Sequence, residues 1–224
     1  MSYRDFTLKE VTRRFGLSIA ASESLFAGAP EVEPSPLLRE LLREYLPLAR
    51  AINTEKARSE FLIAPILAEV RARLGHRISL FSGVEFAVAP EQGLNGFCDF
   101  ILARSPEQQF LTAPLVAIVE AKNENLKAGL GQCIAAMVGA RVFNEREGVP
   151  IGSIYGAVTS GTLWQFLRLD GPRIRLDERE YHLVERLATI LGIFVRMFAE
   201  EGVQGRGVPD PVTVPAAEDR GEEH

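Results

Sequence analysis

Cysteine, histidine and long apolar runs are scarce in this 224-residue chain, and each scarcity removes a class of protein. The two cysteines, Cys98 and Cys133, lie in apolar stretches without CxxC spacing. That fits a reducing compartment and small buried side chains better than a disulfide framework, and it excludes zinc held by cysteine. His76, His182 and His224 are scattered, with no HxxxH or HNH arrangement. No stretch approaches the roughly 18 uninterrupted apolar residues of a membrane span, and MSYRDFTLKE has no apolar run after its first charge. A cytoplasmic protein with no membrane partner is the expectation. Positive charge is not in surplus either: 25 Lys+Arg face 30 Asp+Glu, a formal charge of -5, the wrong sign for gripping nucleic acid by bulk charge. Gly129-Leu130-Gly131 is not followed by Gly-Lys-Ser/Thr, and the serines near Gly161 lack a G-x-S-x-G elbow, which argues against a nucleotide loop and a serine hydrolase.

What is present is enough apolar sequence, 46% of residues, to bury the core of one domain. Helical spacing predicts helices over 7–15, over 37–46 ending near Pro47, over 54–74 with a kink at Pro65, over 126–144 and over 181–200. Period-two or continuous apolar runs predict strands over 78–88, 96–103, 114–121, 153–159 and 162–169, with turns at 90–95 and at Ser160-Gly161. Helices, three strands, a helix, two strands and a helix predict an α/β layer structure with a mixed central sheet. The chain divides into an N-terminal helical extension (1–52), a main domain (53–202) and an acidic tail (203–224) expected to be disordered, where two arginines meet five acids.

Chemistry concentrates at the strand ends. Glu120-Ala121-Lys122 closes the LVAIV run, and alternation along a strand points Glu120 and Lys122 the same way. If the strand carrying Asp99 is a neighbour, a second carboxylate joins them, giving two hard oxygen donors for a divalent cation. Such a cation polarises a phosphoryl oxygen and lowers the pKa of bound water, while a lysine steadies developing negative charge. Glu60, on the helix before the sheet, can reach the cation or its water indirectly, and Gln132, in the following helix, can orient that water or a phosphate oxygen.

Asp99, Glu120-x-Lys122, Gln132 and Glu60, in this order of elements, resemble the PD-(D/E)XK nuclease superfamily, with Cys98 standing where the name of the motif has proline. The resemblance covers about residues 53–169. It implies a restriction-endonuclease-like αβββαβ core and one or two magnesium ions, replaceable by manganese, held by Asp99 and Glu120 with the carbonyl of Ala121 as an extra ligand. It further implies that Lys122 positions or activates the water that cleaves a phosphodiester of DNA. Phosphate binding then rests on a local basic patch, Arg50, Lys56, Arg58, Lys122 and Lys127, or on a second subunit.

Blander readings stand beside these. Glu120 and Lys122 alone make a surface ion pair worth ~0–1 kcal/mol; the apolar run before them is what places them beside a buried strand. Glu60 also reads as one more charge in the Glu55-Lys56-Arg58-Glu60 series, and Gln132 as a solvent-facing residue. The competing function is a catalytically silent binding or assembly module that works through a partner or as a homodimer, using the leucine-rich helix after Ser35 and the last helix.

Overall fold

The computed structural model describes residues 1–22 and 25–199. The expected tail at 203–224 lies outside the described residues. Helices α1 (Leu8–Arg14), α2 (Pro36–Ile52), α3 (Glu55–Arg58), α4 (Ala64–Arg73), α5 (Leu126–Arg146) and α6 (Leu183–Ala199) cover a mixed sheet of eight strands. The strands are β1 (Ser18–Ser22), β2 (Ser79–Glu85), β3 (Phe97–Ala103), β4 (Leu115–Ala121), β5 (Ser153–Thr159), β6 (Leu163–Asp170), β7 (Arg173–Asp177) and β8 (Tyr181–His182). Their order is β1-β7-β6-β5-β4-β3-β2, with β8 on β6.

β4 and β5 are parallel and buried along their whole length, as an apolar run without alternation requires. The helix that joins them, α5, lies on one face of the sheet with α1, over Ile118, Cys133, Ile134 and Leu167. On the other face, Leu62, Ile66, Phe166 and Phe194 join α2, α4 and α6 into a second apolar layer. α5 is long and apolar enough to cross a membrane by composition, but most of it is buried inside the protein. Its small residues allow close approach. A Cβ at Gly131 would lie 2.2 Å from the Phe6 carbonyl oxygen, and one at Gly139 would lie 2.5 Å from the Tyr3 hydroxyl. The N-terminal segment therefore lies directly on α5, with Tyr3, Phe6 and Val11 buried.

Three differences from the sequence reading have physical causes. α2 does not stop near Pro47 but runs to Ile52. Pro47 is exposed, so the Arg43 carbonyl that loses its donor faces solvent. At Pro65 the expected kink takes the form of a π turn over Ser59–Ile63: Pro65 offers no N–H to Phe61, and Ala64 N–H reaches back to the Ser59 carbonyl. The stretch over 1–52 contains a strand as well as helices, since β1 pairs in parallel with β7, another strand the pattern did not show. Both are five residues long, and β1 is exposed, so neither carries a clear alternation.

Candidate active site

The register of the sheet decides which side chains meet. β2 and β3 are antiparallel, with Ser82 paired to Phe100 and Val84 to Cys98, so Gly83 lies opposite Asp99. β3 and β4 are antiparallel, with Phe100 paired to Val119. One step further along, Asp99 faces Glu120, and cross-strand partners share a face. The Ala121 N–H donates to Asp99 Oδ2 at 2.7 Å, which fixes one carboxylate oxygen. Lys122 Nζ donates to Glu120 Oε1 at 2.7 Å and to Gln132 Oε1 at 3.3 Å. The ammonium thus sits between a strand-end carboxylate and an amide carried in by α5.

Burial gives these contacts their strength. The Glu120 side chain is 2% exposed. Its carboxyl is pushed up to about 8, first by burial and then by the charge of Asp99, against the pull of Lys122. Burial acts to lower the Lys122 ammonium, but Glu120, Glu55 and Asp99 outweigh it and the net movement is upward. Two carboxylates this close are held together at a cost unless a cation lies near them. The donors are hard oxygens, and two carboxylates with a backbone carbonyl leave room for solvent, which fits magnesium or manganese. Among the described residues no three His, Cys, Asp or Glu side chains converge, so any third ligand has to be a carbonyl or solvent.

In front of the pair opens a cleft of about 360 Å³. Asp99 and Ala121 line it, as do Ser82 and Gly83 from β2 and Glu55, Lys56 and Glu60 from α3 and the π turn. Glu120 and Lys122 lie behind Asp99 and are not part of that lining. Of the sequence candidates, Asp99, Ala121, Glu120, Lys122 and Gln132 form one hydrogen-bonded group. Glu60 does not join it; it lines the cleft but pairs with Lys56 Nζ at 3.0 Å, its side chain 53% exposed. Gln132 is buried and faces the lysine, which makes it a positioning residue.

Glu55 and Gly83 were not singled out as site residues. Glu55 belongs to the charged series on α3, and only the fold turns it toward Lys122. Gly83 had a legible signal: a glycine inside a strand often marks a bulge or a close approach. Its φ is +62°, with open space where a side chain would be.

Neither a scan against protein-family models nor a search of curated proteins finds a match to this chain.

Proposed function

We propose that this chain is a magnesium-dependent nuclease with a restriction-endonuclease-like core that hydrolyses phosphodiester bonds of DNA, endonucleolytic cleavage being the favoured mode. The observation that carries it is the meeting of Asp99 and Glu120 across adjacent strands with Lys122 Nζ 2.7 Å from Glu120. The order α4, β2, β3, β4, α5, β5 supports the αβββαβ core of the PD-(D/E)XK superfamily.

In this reading Asp99, Glu120 and the Ala121 carbonyl hold the divalent cation, which supplies Lewis-acid polarisation of a phosphoryl oxygen and makes water a better nucleophile when bound. The chain's own groups do the rest. The Ala121 N–H keeps Asp99 turned toward the cleft. Glu120 and Gln132 hold the Lys122 ammonium in one place, so its charge is ready where negative charge develops and needs no reorganisation. The cleft admits a backbone phosphate to Asp99 while Glu120 remains screened from bulk water.

The test is incubation with plasmid and single-stranded DNA in magnesium. Wild-type protein is expected to cleave, and Lys122→Ala to cleave roughly a hundredfold more slowly. Equal rates in the two proteins end the assignment. A second reading, a silent assembly module or homodimer, draws on the exposed apolar side chains Leu37, Leu48 and Ile52 of α2. Titration calorimetry with magnesium or manganese separates the two: heat that disappears in Asp99→Ala favours the enzyme, and no heat in wild type favours the module.

A further inference from the structure

One buried cation has no acidic partner. Arg58, in α3, is 9% exposed. Its Nε donates to Asn123 Oδ1 at 3.0 Å, its Nη1 to the Ser160 carbonyl at 2.9 Å and its Nη2 to Asn53 Oδ1 at 2.9 Å. All these acceptors are neutral, and among the described residues no carboxylate forms an ion pair with it. A guanidinium out of water is ordinarily matched by a carboxylate, because hydrogen bonds to neutral groups satisfy its donors and leave its charge in place. That charge faces a cleft of about 450 Å³, which Arg50, Asn123, Thr162 and His182 also line.

The cleft adjoins the carboxylate pair. Asn123 directly follows Lys122, and the Lys122 N–H donates to the carbonyl of Thr159, the residue before Ser160. We propose that this cleft is a second phosphate subsite, in which Arg58 and Arg50 hold the nucleic-acid backbone beside the bond presented to Asp99 and Glu120. The proposal rests on the reading that this end of the sheet takes a nucleic-acid strand. Arginine suits the task because its planar fork matches phosphate oxygens. The subsite also answers a difficulty of charge: a chain at -5 binds a polyanion only where cations are gathered locally. Two exposed acids, Glu124 and Glu185, line the same cleft and oppose an anion, so neutralising one of them strengthens binding.

The test is fluorescence anisotropy of a labelled DNA oligonucleotide with the full chain in EDTA, over a series of salt concentrations. Arg50→Gln and Arg58→Met are each expected to weaken binding about tenfold and to reduce the slope of log affinity against log salt by about one. Glu185→Gln is expected to tighten binding. A purely structural arginine would leave the salt slope of folded protein unchanged. Circular dichroism checks the fold of Arg58→Met; should it unfold, the two exposed substitutions decide. Unchanged affinity and slope in Arg50→Gln and Glu185→Gln overturn the subsite, as does a wild-type chain without salt-dependent binding. Arginine-dependent binding without magnesium-dependent cleavage keeps the subsite and removes the nuclease; cleavage with unchanged slopes does the reverse.

Discussion

Glu120 carries the sharpest single-residue consequence of the structure. Its carboxyl is pushed up to about 8 from an ordinary 4.5 by burial and by Asp99. As pH rises through this window, the unfolded chain gives up the proton while the folded one keeps it. Stability therefore falls from about pH 4.5 to about 8 on this group's account and levels off above. Glu120→Gln has no such proton to lose. Its melting temperature relative to wild type is expected to be clearly higher at about pH 8 than at about pH 5. Thermal melts across that range give the answer, and a constant difference would mean that Glu120 titrates as an ordinary surface carboxylate. Lys122 is the residue that restrains this cost in the absence of a metal, since its ammonium stands 2.7 Å from Glu120 Oε1.

At the scale of elements, α5 does two jobs with two kinds of residue. Its polar Gln132 reaches Lys122, while its glycines let other elements approach the helix axis. A methyl group at Gly131 would collide with backbone atoms of Phe6 and Thr7, at 2.2 and 2.5 Å, which no rotamer change relieves. Gly131→Ala is expected to cost about 1–3 kcal/mol in denaturant unfolding, by forcing the N-terminal segment off the helix. A neutral substitution would show that this segment yields without loss. The π turn over Ser59–Ile63 has a different effect: it shifts the phase of the helix just before Pro65, and Glu60 ends in the cleft beside Lys56 instead of against Asp99.

For the molecule as a whole, the two ends of the sheet are closed by distant parts of the chain. β1 completes one edge by pairing with β7, more than 150 residues away in sequence, while Tyr3, Phe6 and Val11 seal the layer over α5. Removal of residues 1–22 is expected to abolish cooperative thermal unfolding, and a truncated chain that melts like wild type would show the segment to be dispensable. Net charge makes a further whole-molecule prediction. With only local basic clusters available, DNA affinity is expected to be weak and to drop steeply between low and moderate salt, and a salt-insensitive isotherm would contradict it.

Much of this was legible in the chain itself, because hydrophobic periodicity reports which face an element buries. The run Leu115–Ala121 had to be a central strand, the stretch after Leu126 a core helix, and Glu120 and Lys122 had to share a side. β1 and β7 were not legible, since short or exposed strands are defined by their partners. Local sequence also carries no record of register. That Asp99 lies across from Glu120, that Glu60 turns away to Lys56, and that Arg58 is buried among neutral acceptors were decided only by tertiary structure, where hydrogen bonds between strands and the packing of α3 against the sheet set distances that sequence spacing leaves open.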